Sequence, residues 1–190
     1  MKIKVNFSWE LNEDQAILAE VVKRCEELGH KPGRTALQKI AYFLKRQGVP
    51  MSYGFELYHY GPFCQEILWD AEMLTSLGVI VDTKRTNGGS RYGVGESYST
   101  EIAKHSAFLT SNSDEIDAVV KLLAPLPADT LEVVATLDYF FRYVSARGGS
   151  GPFKADVMAK FFEAKSQYVG REQWVGKLYD RMAAIGMVGA

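Results

Sequence analysis

The sequence has few cysteines and no long apolar run. Its 190 residues include only two cysteines, Cys25 and Cys64, and they do not form a CxxC motif. A disulfide scaffold therefore has no sequence support, and isolated thiols are typical of a reducing compartment. No segment approaches the roughly 18 apolar residues of a membrane span, and the opening stretch MKIKVNFSW lacks the apolar run of a signal peptide. We expect a soluble, cytoplasmic protein that does not insert into membranes.

The sequence also has no excess of charge of one sign. It contains 22 Lys and Arg against 23 Asp and Glu, which gives a formal net charge of -1 at pH 7. Domains that bind nucleic acid or anionic membranes usually carry a basic surface that shows in the composition, and neither half of this chain does. Charge balance alone thus gives no reason to expect either partner.

The region between residues 33 and 80 has the clearest structural pattern. Apolar residues recur at i, i+3, i+4 and i+7 from Leu37 to Leu44, which predicts a helix. Residues 55–60 alternate between the two faces of a strand. Gly61-Pro62 is expected to end this strand and to place proline in the first turn of the next helix. A left-handed C-cap at Gly78 would end that helix.

Other local signals extend the pattern in both directions. Asn12 and Gln15 fit a capping box at the start of a first helix. Residues 79–84 and 90–94 read as two strands, and Asn87-Gly88 between them is a strong signal for a hairpin turn.

This order of elements predicts a mainly α-helical fold with a small β-sheet, of the α+β class. Residues 1–98 are expected to form a winged-helix-like domain. Residues 99–112, which serine and threonine interrupt, are expected to be a linker with one or two helical turns around residues 101–109. Residues 113–190 predict a C-terminal layer of about four helices that packs against the first domain.

Three motifs in this region resemble a known family. They are the Leu37-Gln38-Lys39-Ile40 run with Tyr42 behind it, the Phe55-x-x-Tyr58-x-Tyr60-Gly61-Pro62-Phe63 run, and the Leu68-x-Asp70-x-x-x-Leu74-x-x-x-Gly78 helix. Together they resemble the bacterial YwgA-like proteins and, more distantly, the Panacea-domain antitoxins related to the SocA-like proteolytic adaptor. One departure is Phe63-Cys64, where the family pattern often reads Tyr-Ser.

The resemblance implies a winged-helix-like bacterial protein that acts by binding another protein and not as an enzyme. The partner would be a toxin to be neutralised or a component of a proteolytic system. The motif residues that carry this implication are Gln38, Lys39, Tyr42, Tyr58, Tyr60, Gly61 and Pro62.

The third predicted helix offers the best candidate binding surface. Trp69 and Met73 lie one turn apart, next to the acidic residues Glu66 and Asp70. An apolar spot with a polar rim has the composition of a protein-binding site. The alternative is that Trp69 and Met73 are buried beneath the C-terminal helices, because a second helical layer needs an apolar surface to cover.

A second hypothesis is a DNA-binding regulator that uses the hairpin as a basic wing. The candidate contacts are Lys84, Arg85 and Arg91 at the hairpin and Arg34, Lys45 and Arg46 on the second helix. The third helix argues against it, since it contains three acidic residues and no Lys or Arg, and phosphates would repel it. Solvated hairpin charges are the plainer interpretation of the wing.

Signals for catalysis are weak. His30, His59 and His105 fall on different elements without metal-ligand spacing. Cys64 near a helix start, shortly after His59, could form a Cys/His nucleophile, but an inert thiol is the plainer interpretation. There is no GxSxG, phosphate-loop or Rossmann glycine motif. We expect no metal, no cofactor and no enzymatic activity.

Aromatic residues are dense between Tyr42 and Phe63. We expect most of them to fill the core and bury their hydroxyls. A base-stacking platform is the alternative, although no basic groove accompanies it. An exposed wing strand, or an edge strand predicted at residues 3–9, would offer a route to a homodimer.

Overall fold

The computed structural model describes residues 10–84, 89–148 and 151–189. They are mainly helical with two small antiparallel sheets, which confirms the predicted fold class. The helices are α1 (Glu13–Glu27), α2 (Arg34–Arg46), α3 (Gln65–Ser76), α4 (Tyr98–Ile102), α5 (Ser106–Ser111), α6 (Ser113–Leu123), α7 (Ala128–Ser145), α8 (Lys154–Ala164) and α9 (Glu172–Ala184). The strands are β1 (Glu56–Tyr58), β2 (Gly61–Phe63), β3 (Ile80–Asp82) and β4 (Tyr92–Val94).

The first helix begins as its sequence predicts. Oδ1 of Asn12 accepts a hydrogen bond from the backbone N–H of Gln15 at 2.9 Å, and Oε1 of Gln15 accepts one from the N–H of Asn12 at 3.1 Å. This capping box satisfies two N–H groups that have no partner inside the helix. Cys25 lies in the buried stripe of α1, and burial raises the pKa of its thiol to about 12.

The Gly61-Pro62 dipeptide lies in a strand, so the prediction that it opens the third helix is wrong. β2 pairs antiparallel with β1, and α3 begins only at Gln65, with Cys64 as its N-cap. Gly61 has a φ of +82, which glycine adopts readily, and a Cβ at this position would lie 2.5 Å from Oγ1 of Thr136 on α7. Close packing against α7 therefore overrides the local tendency of proline to start a helix.

The β3–β4 hairpin forms as predicted. Its predicted turn at Asn87-Gly88 lies outside the described residues, and so does the edge strand predicted at residues 3–9. In the described ranges β1 pairs with β2 and β3 with β4, so two separate sheets stand where one small sheet was expected. The winged-helix assignment stays a prediction.

One hydrophobic core runs through the two predicted domains. α2 packs against α6 and α7, and α7 in turn packs against β2, α8 and α9. The segment 99–112, predicted to be a linker, contains helical turns that pack on α1 and bury Ile102 and Leu109. α3 packs mainly against α1 and β3. Within the described ranges, no helix combines the length and apolarity that crossing a bilayer requires.

Candidate partner-binding face on the third helix

α3 has one buried face and one open face. Ile67, Ala71 and Leu74 are buried against the core. A second face follows the spacing i, i+3, i+4 and i+7, which places its members on one side of a helix. We define the α3 outer face as the set Glu66, Trp69, Asp70 and Met73. The four residues predicted to bind a partner therefore share one surface.

Trp69 is the most exposed large apolar residue of α3, with 59% of its surface accessible. The alternative prediction, burial of Trp69 beneath the C-terminal helices, is wrong. Those helices cover α2 and β2, because α6 and α7 find their apolar partners there. Met73 is half-buried, since it lies on the side of α3 that turns toward α1.

Hydrogen bonds from Gln15 on α1 and from Tyr53 in the loop before β1 hold Asp70 in place. Its Oδ1 accepts from Nε2 of Gln15 at 2.7 Å, and its Oδ2 accepts from the hydroxyl of Tyr53 at 2.7 Å. Burial and this bond to Asp70 raise the pKa of Tyr53, so the hydroxyl keeps its proton and remains a donor. Nε2 of Gln15 also lies 3.4 Å from Sδ of Met73. Two members of the outer face are thus held in place by one side chain of α1.

A cleft of about 280 Å³ opens between α1, the loop before β1 and α3. Three carboxylates, a tyrosine and a tryptophan contribute to its wall. Its lining consists of Asn12, Asp14, Ser52, Tyr53, Gly54, Glu66, Trp69 and Asp70. We call this feature the α1–α3 cleft. The carboxylate of Asp14 accepts from both the backbone N–H and the hydroxyl of Ser52, which ties the loop to α1.

Cys64 is buried beside this cleft and is not poised as a nucleophile. Its thiol donates to Oε2 of Glu66 at 2.9 Å. Burial, together with this hydrogen bond, raises the pKa of Cys64 to about 11, and the same bond lowers the pKa of the exposed Glu66. The imidazole of His59 instead lies on the surface, with its ring centroid 4.5 Å from that of Tyr58. The Cys/His hypothesis is therefore wrong in its geometry.

Metal ligation also finds no support among the residues described, where no group of three or more His, Cys, Asp or Glu side chains is arranged to hold an ion.

The motif residues on α2 hold the β1–β2 hairpin in place. Gln38 donates from Nε2 to the carbonyl of Cys64 at 2.7 Å and accepts from the N–H of Cys64 at 3.0 Å. Nζ of Lys39 donates to the carbonyl of Pro62 at 2.6 Å. Tyr42 donates its hydroxyl to Oδ2 of Asp138 on α7 at 2.5 Å. These positions thus anchor β2 and α7 onto α2.

Sequence reasoning missed two further charged residues at this hairpin, Lys165 and Glu132. Nζ of Lys165 donates to the carbonyl of His59 and to Oε1 of Glu132, the latter at 2.9 Å. Lys39 and Lys165 are only 1% and 2% exposed. We call Lys39, Lys165 and Glu132 the hairpin clamp. The one available signal was the charge of Glu132 inside the apolar run LEVVA, since an acidic residue there is expected to need a buried partner.

The electrostatics of the hairpin clamp follow from its burial. Desolvation lowers the pKa of Lys39 to about 8, with the charge of Glu132 opposing and that of Lys165 reinforcing the shift. Two cations and one anion lie together here, and backbone carbonyls supply the remaining acceptors.

Tyr58 and Tyr60 point into solvent and do not fill the core as expected. They are 59% and 66% exposed, because the clamp holds the turn between the strands from beneath. The expectation does hold for Tyr42 and Tyr53, which are buried with hydrogen-bonded hydroxyls.

The basic residues considered for DNA contact do not form one surface. Arg34 and Arg91 line one cleft of about 650 Å³ together with Lys31. Lys45 and Arg46 lie at the opposite end of α2, roughly 18 Å away along the helix axis. They donate to the carbonyl of Tyr53 and to the carboxylate of Asp138, respectively. Lys84 is exposed, and Arg85 lies outside the described residues.

Comparison with known proteins gives one informative match. No protein-family model matches the chain. The chain is 28% identical over 125 residues to the uncharacterized protein YwgA of Bacillus subtilis (strain 168), an alignment that covers 64% of this chain and 73% of that protein. This similarity supports the resemblance to YwgA-like proteins of bacteria.

Proposed function

We propose that this chain is a non-enzymatic, cytoplasmic interaction module, antitoxin-like or proteolytic-adaptor-like, that binds a protein partner through the α3 outer face. The observation that carries the proposal is the exposure of Trp69, at 59%, on a helix face bordered by carboxylates. Tryptophan is among the residues most enriched at interface hot spots.

The energy available at Trp69 is sufficient to make it an anchor. A tryptophan side chain buries about 150–250 Å² when it is covered, and apolar burial contributes about 25 cal/mol per Å². Covering the exposed part of Trp69 would therefore contribute roughly 2–4 kcal/mol to binding.

The surface is also organised before any partner arrives. The hydrogen bonds from Gln15 and Tyr53 fix Asp70, and Gln15 contacts Met73. A face whose side chains are already ordered loses less conformational entropy on association, so more of the contact energy appears as affinity.

The test starts by recovering a partner from the host lysate on the immobilised chain and identifying it. The partner is then purified, and its dissociation constant is measured for the wild type, for Trp69→Ala and for the control Ile185→Ala. Ile185 is 58% exposed and lies at the end of α9, so it matches Trp69 in exposure but not in place.

We expect Trp69→Ala to raise the dissociation constant at least 10-fold and Ile185→Ala to change it less than twofold. Recovery of no specific partner, or equal binding by both variants, would overturn the proposal. The identity of the purified partner, a toxin or a protease component, distinguishes the antitoxin-like from the adaptor-like form.

A second candidate function, a DNA-binding regulator, is favoured by one observation: Arg34, Arg91 and Lys31 line the same cleft. Its test is a salt-dependent titration of a DNA duplex with the wild type and with Arg34→Ala/Arg91→Ala. A regulator would show affinity that falls steeply with salt, with a logarithmic slope reduced by about 2 in the double variant. Weak binding with the same slope in both proteins would eliminate this candidate.

A further inference from the structure

The surface around Trp69 is strongly acidic, although the whole chain is almost neutral. Residues 10–22 and 65–76, which form the start of α1 and all of α3, contain no Lys or Arg. Asp14, Glu66 and Asp70 line the cleft, and Glu13 and Glu72 are exposed on the same two helices. None of the 22 Lys and Arg residues of the chain lies in these two segments.

None of these five carboxylates forms an ion pair in the described part of the chain. The ion pairs found there involve other acidic residues, on α1 beyond its first turns, on α4 and on the C-terminal helices. Asp14 and Asp70 each accept hydrogen bonds from neutral donors, and an ionised carboxylate has about four acceptor sites. The cleft therefore keeps both negative charge and spare acceptor capacity.

The α1–α3 cleft is slightly smaller than a typical small-molecule pocket. Pockets that hold whole small molecules measure about 300–1,000 Å³, and the α1–α3 cleft measures about 280 Å³. A second hollow, lined by Glu72, Met73, Ser76 and Leu77, lies farther along the same helix. A peptide segment could lie along α3 and place one long side chain in the cleft.

Another tryptophan of this chain, Trp174, has a cation over its ring. The guanidinium of Arg171 lies 3.9 Å from the ring centroid of Trp174. Among the described residues, no Lys or Arg occupies the corresponding position over Trp69. A cation over tryptophan is stabilised by the π-system, and carboxylates at the rim add to that attraction.

We propose that the partner segment bound by the α3 outer face is basic, and that one arginine of that segment enters the α1–α3 cleft between Trp69 and Glu66. Arginine suits the cleft better than lysine, because its planar group stacks on the indole ring while its forked donors bind carboxylate oxygens. This inference rests on the proposed function, since it names the chemistry of the partner at the same face.

The test compares two synthetic peptides that differ only in charge. One has the sequence Ala-Leu-Arg-Ala-Leu-Arg-Ala, and in the other citrulline replaces each arginine, which keeps the shape and removes the charge. Binding to the full ¹⁵N-labelled chain is followed by NMR, with the indole N–H of Trp69 as the reporter. The variants are Glu66→Gln and, as a matched control, Glu115→Gln, because Glu115 is an exposed acidic residue of α6.

We expect the arginine peptide to shift the Trp69 indole signal and the backbone signals of α3, and to bind at least 10-fold more tightly than the citrulline peptide. Glu66→Gln should weaken this binding about fivefold, and Glu115→Gln should leave it within twofold. Equal binding of the two peptides, or a response that avoids the Trp69 signal, would overturn the inference.

The two proposals fail in different ways. The affinity of the purified partner could depend on Trp69 but not on Glu66, while the arginine peptide fails to bind. That result would contradict a basic partner and leave the proposed interaction module intact. If the affinity of the purified partner does not depend on Trp69, the proposed interaction module is wrong, whatever the peptides show. Loss of a dimer in Trp69→Ala, measured by sedimentation, would instead identify a second copy of this chain as the occupant and contradict the basic partner.

Discussion

The hairpin clamp and the α3 outer face both bring charged side chains together, one in the core and the other at the surface. In the clamp, Nζ of Lys39 donates a hydrogen bond to the carbonyl of Pro62. Nζ of Lys165 donates to the carbonyl of His59 and to the carboxylate of Glu132. On the outer face, Glu66 is exposed and its one hydrogen-bond donor in the described structure is the weakly acidic thiol of Cys64. The buried charges bind groups of the fold itself, whereas the exposed carboxylate of Glu66 remains available to a ligand.

The largest effect that would test this difference is the loss of Lys165. Lys165→Met leaves Glu132 buried with one fewer partner and releases the carbonyl of His59. Removing one member of a buried ion pair typically costs 3–5 kcal/mol, so we expect the free energy of unfolding to fall by about 3–5 kcal/mol in urea denaturation. The control Lys177→Met, at an exposed position on α9, should change it by less than about 0.5 kcal/mol. Similar curves for both variants would contradict a structural role for the clamp.

A smaller effect concerns the close approach of the hairpin to α7. Gly61→Ala combines a φ of +82 with a Cβ 2.5 Å from Oγ1 of Thr136, whereas Gly170→Ala has a φ of +90 and no neighbour within 4 Å. A left-handed residue with a side chain costs about 1–2 kcal/mol, and overpacking adds about 1–3 kcal/mol. We expect losses of about 2–5 kcal/mol for Gly61→Ala and about 1–2 kcal/mol for Gly170→Ala. Equal losses would mean that the contact with Thr136 relaxes freely.

The hairpin clamp should also give the protein a characteristic dependence on pH. Because the pKa of Lys39 is lowered from 10.5 to about 8 in the folded state, the unfolded chain holds more protons above pH 8. Stability from this group therefore rises with pH, by about 1 kcal/mol between pH 7 and pH 9.

The measurement is urea denaturation of the wild type and Lys39→Met at each pH. The difference between the two isolates Lys39, since Cys25 and Cys64 have raised pKa values and lower the stability of both proteins as pH rises above about 9. A constant difference across this range would contradict a lowered pKa for Lys39.

The smallest effect on stability is expected at the α3 outer face. Trp69 and Glu66 are exposed, and glutamine keeps an oxygen that can accept from Cys64, so Trp69→Ala and Glu66→Gln should change the free energy of unfolding by less than about 0.5 kcal/mol. The same variants are expected to have the largest effects on binding. A large loss of stability in either would mean that this surface serves the fold and not a partner.

The parts of the fold that the sequence predicts are those that depend on neighbouring residues. The capping box of Asn12 and Gln15 forms within one turn, and the glycine at the end of α3 acts within its own segment. The apolar stripe of α2 likewise follows from spacing alone.

The failures depend on contacts between distant segments. Gly61-Pro62 reads locally as a helix start, but Lys39, 23 residues before Pro62, and Lys165, 106 residues after His59, hold it as a strand. The exposure of Trp69 could not be predicted either, because it depends on which face the C-terminal helices cover. Sequence reasoning did place the four residues of the outer face correctly on one helix face, since that requires only the helical period.

Gln15 joins a local signal to a distant surface. Its carbonyl oxygen completes the cap of α1, and its amide nitrogen binds Asp70 and lies beside Met73. Glutamate is the usual substitute for glutamine in a capping box, yet at this position it would set a carboxylate against Asp70. The chemical difference between an amide and an acid at one capping position therefore decides whether α1 supports the geometry of the α3 outer face or repels it.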